Sequence, residues 1–201
     1  MRKAILYIHG KGGSAAEADN YRKSCVGYNV IGVNYELNYP WLLQDAFQEA
    51  YNNTAKKYDS ISLIATSIGA YYSMNSLQNV PIEKALFISP LLDVEKLICN
   101  MIDWANVTEK ELEEKKEIKT DFGEDLSWDY LCYVRNNPIH WNVPTEILYA
   151  SRDNLTSRDT VDSFVKKHNA HLTVMENGEH WFHTDEQLAF LDAWMKAVLA
   201  N

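Results

Sequence analysis

The sequence predicts a three-layer α/β fold, a parallel sheet of about six strands with helices on both faces. Three observations lead there. Short apolar runs alternate with segments of helical period along most of the chain, and such alternation needs crossovers that lie over a parallel sheet. Within residues 84–89 the stretch Ala85-Leu86-Phe87-Ile88 is wholly apolar, as a strand covered on both faces must be. Around residues 60–78 an apolar run (residues 61–65) breaks at Ala65-Thr66-Ser67-Ile68-Gly69. It then continues without Gly or Pro as a candidate helix.

The other elements follow in order. Residues 4–8 read as a first strand, ending in His9-Gly10-Lys11-Gly12-Gly13-Ser14, and residues 29–34 as a second. Residues 41–57 place Leu43, Phe47, Ala50, Tyr51 and Thr54 on one helical face. After the strand at 84–89, residues 146–150 form a fifth strand. Thr156 or Ser157 can cap a helix carrying Val161, Phe164, Val165 and His168 at i, i+3, i+4 and i+7. Residues 171–175 form a sixth strand. Thr184-x-x-Gln187 is a capping box, opening a last helix with Leu188, Leu191, Met195 and Val198 inward.

Residues 91–143 interrupt this rhythm, since αβ connections are ordinarily far shorter. A capping box, Thr108-x-x-Glu111, opens a charged helix at 109–119, and residues 127–135 form an aromatic one with Trp128, Tyr130 and Tyr133. The whole chain, 1–201, therefore reads as one domain with 91–143 a helical, lid-like insertion. Trp104 and Trp141 can add to its aromatic half.

Composition narrows the classes of function. With 201 residues, 46% hydrophobic and 23% charged, the chain is long enough to bury a core of its own. A net charge of −9 argues against nucleic acid or an anionic membrane surface as partner. No apolar run reaches the length of a membrane span, and residues 1–8 are too short for a leader ahead of His9. Cys25, Cys99 and Cys132 sit in no CxxC pattern. They are expected as reduced thiols, which suits a cytoplasmic protein.

The junction at Ser67 carries the chemistry. A Ser flanked two positions either way by small residues, between a strand and a helix, is the pattern of a nucleophile elbow. The turn strains the Ser backbone, and larger side chains at 65 and 69 would collide with strand or helix. The new helix aims its first N–H groups at the place where negative charge develops in acyl transfer.

Four stretches together resemble the α/β-hydrolase family, in its small bacterial serine esterase-like members. They are Ala65-Thr-Ser67-Ile-Gly69, the strand end His9-Gly-Lys-Gly12, the strand end Ala150-Ser-Arg-Asp153, and Asn177-Gly-Glu-His180. Their order, Ser then Asp then His, is that family's. The first strand of this sequence is the one carrying His9, so the resemblance implies a trimmed sheet of roughly six strands, without the two N-terminal strands usual in larger members.

The resemblance implies a serine hydrolase acting on a carboxylic ester or thioester of a small, apolar acyl group, a small-molecule partner, with no metal or organic cofactor. It implies Ser67 as nucleophile, His180 as base and Asp153 as acid. The oxyanion hole would come from the Ile68 N–H and the Lys11 N–H. Gly12 would let its loop approach the substrate, and Trp128, Tyr130 and Tyr133 would line the acyl site. Asp93 is the second candidate acid, because some relatives carry the acid after that strand. His183 is the rival base, although it precedes the Thr184 cap and can staple onto Leu188; His9 reads as structural.

Two other readings stand beside this one. Gly10, Gly12 and Ala15, with Glu36 further on, match the outline of a dinucleotide fingerprint, which requires the glycines to run straight into a helix. A hydrolase fold that is catalytically silent and binds a ligand or protein would carry the same residues.

Overall fold

The computed structural model describes residues 1–168 and 170–200. Strand β1 (Lys3–Ile8) is buried from Ala4 onward. A turn closed by the Gly13 N–H on the Gly10 carbonyl, 3.2 Å, leads into a 3₁₀ turn at Ala15–Glu17 and a single helical turn, α1 (Ala18–Tyr21). Strand β2 (Tyr28–Gly32) ends two residues earlier than expected. Helix α2 (Pro40–Ala55) opens on Pro, whose missing N–H costs nothing at that position. It buries Leu43, Phe47, Tyr51 and Thr54, the expected face without Ala50. Strand β3 (Ser60–Thr66) leads into α3 (Ile68–Leu77), buried from Gly69 to its end. Strand β4 (Ala85–Ile88) is buried throughout.

Residues 93–139 form a compact unit of their own, narrower at both ends than the expected 91–143. It begins with α4 (Val94–Trp104), an unexpected helix. The Asp93 carboxylate caps it by accepting the Lys96 N–H at 2.9 Å, and Val94, Ile98 and Ile102 form its buried stripe. Helix α5 (Glu109–Lys115) has the expected reciprocal capping box between Thr108 and Glu111. It stops short of residue 119 because Lys116 adopts φ 68°, where a helix cannot continue. Two short strands, β5 (Glu117–Ile118) and β6 (Leu126–Ser127), pair antiparallel. Helix α6 (Trp128–Asn136) is the expected aromatic helix, capped by Ser127. Arg135 closes the unit with a forked pair on Glu109 (2.6 and 2.9 Å) and a third bond to Glu95 at 2.8 Å.

The remaining elements are β7 (Thr145–Ala150), α7 (Arg158–His168), β8 (His171–Met175) and α8 (Asp185–Ala200). Six strands form one parallel sheet in the order β2-β1-β3-β4-β7-β8. One face of it packs Ile5, Tyr7, Ile64, Leu86 and Leu148 against Leu191, Trp194 and Met195 of α8 and Ala18 of α1. Helices α2 and α3 pack together and on β1 and β3. Leu188, expected inward on α8, is 45% exposed. The helix turns Gln187 inward instead, where its side chain closes the cap on Thr184 and on the His183 N–H. Trp141 lies in the sheet unit, buried against Phe87 with its Nε1–H on the Thr145 hydroxyl at 2.8 Å, so it leaves the insertion's aromatic set. No described helix is long and apolar enough to cross a membrane.

Candidate active site

Every segment that the sequence singled out in the sheet unit follows the C-terminal end of a strand. His9 and the glycine turn follow β1, Ser67 follows β3, Asp153 follows β7 and His180 follows β8. The order β2-β1-β3 reverses direction at β1, and ligand sites of open α/β sheets gather where strand order reverses.

Ser67 is the hinge of the β3–α3 turn, at φ 51° and ψ −124°. L-residues avoid that region, and such strain persists only when the surroundings over-determine it. They do so here through the backbone. The Ser67 N–H donates to the Ile88 carbonyl at 3.1 Å, and the Ser67 carbonyl accepts from Ala70 and Leu91 at 3.1 and 3.0 Å. The strands on either side are hydrogen-bonded to β3, so the turn has little room to relax.

From that turn the Ser67 hydroxyl lies 2.9 Å from His180 Nε2, and His180 Nδ1 lies 2.7 Å from Asp153 Oδ2. The Asp153 side chain is fully buried, and that of His180 is 17% exposed. A carboxylate can only accept, so it fixes the proton on Nδ1 and leaves the Nε2 lone pair facing the Ser67 hydroxyl. The second Asp153 oxygen, Oδ1, accepts the Leu155 and Thr156 N–H groups at 2.8 and 3.0 Å. Loop capping and contact with His180 thus coexist on one side chain. Burial raises the Tyr149 phenol, with the Asp153 charge adding to the effect; its hydroxyl donates to the Thr156 carbonyl at 3.0 Å and braces the same loop.

The β1 loop adjoins Ser67. A Cβ on Gly10 would stand 3.0 Å from the Ser67 Cβ. Gly12 sits at φ +75°, a conformation that favours Gly. Lys11 lies between them, exposed, in the turn that Gly13 closes. Ile68 is the first residue of α3, and first-turn N–H groups have no acceptor inside their helix.

Chains of known structure share this architecture from end to end. Est1E from Butyrivibrio proteoclasticus superposes with a TM-score of 0.74 at 14% identity, over 99% of this chain and 87% of its own. Alpha/beta hydrolase domain-containing protein 10 from mouse gives 0.74 at 13% identity, over 98% and 89%. An alpha-beta serine hydrolase homologue from Coxiella burnetii gives 0.65 at 13%, over 98% and 85%. The chain has the α/β-hydrolase fold. No protein-family model matches it, and neither does any curated protein sequence.

Within this α/β-hydrolase fold the rival residues have other partners. Asp93 caps α4 in the 93–139 unit. The His183 Nδ1 lies 2.7 Å from the Trp181 carbonyl and its ring stacks on Trp181, 5.1 Å between centroids; it is not the histidine on Ser67. Its expected staple partner Leu188 is exposed. His9 is buried, with Nδ1 2.8 Å from the Gly10 carbonyl and Nε2 3.3 Å from that of Tyr35, whose ring stacks on it at 4.2 Å. Tyr35 was not legible beforehand, because a 26-residue separation hides the pairing. Gly10, Gly12 and Ala15 run into a 3₁₀ turn and a four-residue helix, where a dinucleotide fingerprint needs a long one. Trp128, Tyr130 and Tyr133 lie on α6 in the other unit, with Lys116 Nζ 5.7 Å from the Trp128 ring centre. Among the described residues no group of three or more His, Cys, Asp or Glu side chains could hold a metal ion.

Proposed function

We propose that the chain is a serine hydrolase that cleaves carboxylic esters or thioesters of small, apolar acyl groups through an acyl-enzyme. The observation that carries this reading is the continuous pair of hydrogen bonds from Ser67 through His180 to Asp153, at 2.9 and 2.7 Å. A Ser hydroxyl is a weak nucleophile at neutral pH and needs a base to take its proton as it attacks. His180 Nε2 stands at that distance. As it gains the proton, the imidazolium is held against the Asp153 carboxylate, whose burial keeps water from competing for it.

The Ser67 oxygen then bonds to the acyl carbon and the carbonyl oxygen becomes an oxyanion. The Ile68 N–H, with the α3 dipole behind it, and the Lys11 N–H are the donors assigned to it. Collapse of this intermediate expels the alcohol or thiol, which takes its proton from His180. Water, deprotonated by the same imidazole, attacks the acyl-enzyme and restores Ser67. The reducing, cytoplasmic setting expected of three free thiols accords with this chemistry but does not enter it.

Among the structural neighbours, Est1E has been solved with ferulic acid bound. An aromatic acid ester therefore belongs in the substrate panel beside the aliphatic esters. The deciding experiment is labelling by a fluorophosphonate, wild type against Ser67→Ala, with turnover of p-nitrophenyl acetate measured in parallel. Wild type should label and turn over, and Ser67→Ala should do neither. A wild type inert to both leaves a hydrolase fold that only binds, and turnover that survives Ser67→Ala places the chemistry elsewhere.

A further inference from the structure

One cluster built on the buried Tyr7 has no part in these steps. Tyr7, near the end of β1, is 1% exposed. Its hydroxyl donates to Glu17 Oε2 at 2.5 Å, and its strand pairs with β3, Tyr7 opposite Ile64, three residues before Ser67. Glu17 closes the 3₁₀ turn that follows the glycine loop. Its two carboxylate oxygens lie against Gly13: a Cβ there would stand 2.9 and 3.0 Å from them and 3.0 Å from the His9 Cβ. The Tyr21 ring packs on Tyr7, 5.0 Å between centroids. Burial foremost, then Tyr21 and Glu17, raises the Tyr7 phenol, so it remains a donor across the working pH range.

We infer that Tyr7 and Glu17 form a positioning chain that holds the glycine loop, and with it the Lys11 N–H, in register with Ser67. This rests on the acyl-transfer reading above. Three glycines in four residues give the loop wide backbone freedom. An oxyanion donor must lie within about 2.7–3.1 Å of its target to stabilise it. One end of the chain is β1, hydrogen-bonded to the nucleophile's own strand, and the other is the carboxylate packed on Gly13. Tyr7 between them is rigid, buried and anchored in a central strand. The carboxylate serves here as an acceptor rather than as a charge, since a negative charge beside a developing oxyanion would oppose it.

The test is steady-state hydrolysis of p-nitrophenyl acetate by Tyr7→Phe, Glu17→Leu and Glu17→Gln. Enzyme is counted by fluorophosphonate titration of Ser67, so that misfolded chains drop out. Tyr7→Phe and Glu17→Leu should each lower kcat per titrated site by about tenfold, with KM held within about twofold. Glu17→Gln, whose amide oxygen still accepts the Tyr7 proton, should keep kcat within about threefold of wild type. If the first two variants melt earlier but keep the wild-type kcat per site, the chain serves stability alone and the inference is overturned. Glu17→Gln as slow as Glu17→Leu overturns it too, because the charge is then what matters. A wild type that neither labels nor turns over overturns the hydrolase reading itself, and this inference with it.

Discussion

Gly69 and His9 meet backbone to backbone: a Cβ on Gly69 would lie 2.5 Å from the His9 carbonyl oxygen, and 2.8 Å from that of Ile8. The first turn of α3 thus rests on the end of β1, and the Ser67 turn and the glycine loop share one wall. Neither neighbour is a flexible side-chain tip, so the space cannot be recovered by a rotamer change. Gly69→Ala should destabilise by about 1–3 kcal/mol, seen as a melting point lower by roughly 2–4 °C for each kcal/mol. Gly12→Ala meets no atom within 4 Å and suffers only its φ of +75°, so it should cost about 1–2 kcal/mol from backbone strain alone. A Gly69→Ala protein that melts with wild type would show the contact to be slack.

The acid is tested by a pair of isosteric changes. Asp153→Asn places an amide where His180 Nδ1–H needs an acceptor, which upsets the tautomer on which the Nε2 lone pair depends. kcat should fall by about 10³–10⁴ while circular dichroism stays that of the wild type. Asp93→Asn keeps a good N-cap on α4, and both activity and melting should stay close to wild type. The opposite pattern would move the acid to Asp93.

What the sequence disclosed, it disclosed through local rules. The strands at β1, β3, β4, β7 and β8, the α2 face, and the caps at Thr108 and Thr184 rest on period, strand burial or four-residue hydrogen-bond patterns, and all appear in the fold. Helix α4 is absent from that reading although Val94, Ile98 and Ile102 stand at intervals of four, because its cap Asp93 is read there as a candidate acid. Leu188 was placed inward by a helix phase set one residue off, because a buried Gln187 has no apolar signature. The β5–β6 pair is two residues long on each side, too short for any period. Tyr35 on His9 and Tyr7 on Glu17 depend on how β1, its following loop and the segment after β2 pack, which no local pattern encodes.

The base distinguishes two neighbouring histidines. His180→Ala should remove turnover, since no other imidazole lies within hydrogen-bond reach of the Ser67 hydroxyl among the described residues. His183→Ala keeps the main-chain N–H that binds Gln187 and should leave kcat within about twofold. Activity in His180→Ala, or its loss in His183→Ala, would reverse the assignment.

Acyl preference is expected to come from the 93–139 unit. The residues proposed as nucleophile, base, acid and oxyanion donors all lie in the sheet unit, where nothing in the proposed roles separates one acyl group from another. Chain connectivity ties the points of departure and return to the site. The segment leaving β4 donates the Leu91 N–H to the Ser67 carbonyl at 3.0 Å, and its Pro90 carbonyl accepts the Thr156 hydroxyl, from the Asp153 loop, at 3.0 Å. The chain returns just before β7, which delivers Asp153. Between these points α6 carries Trp128, Tyr130 and Tyr133, wide apolar area at low entropic cost. Trp128→Ala, Tyr130→Ala and Tyr133→Ala should each shift the ratio of kcat/KM between acetyl, octanoyl and feruloyl esters by about 10-fold or more, a methylene or ring contact being worth about 1–3 kcal/mol. Fluorophosphonate labelling of Ser67 should survive in all three, because a small phosphonate needs only the nucleophile, base and oxyanion donors. If all three keep the wild-type ratios, α6 takes no part in acyl selection, and the preference is set by the loops that follow β1, β2 and β8.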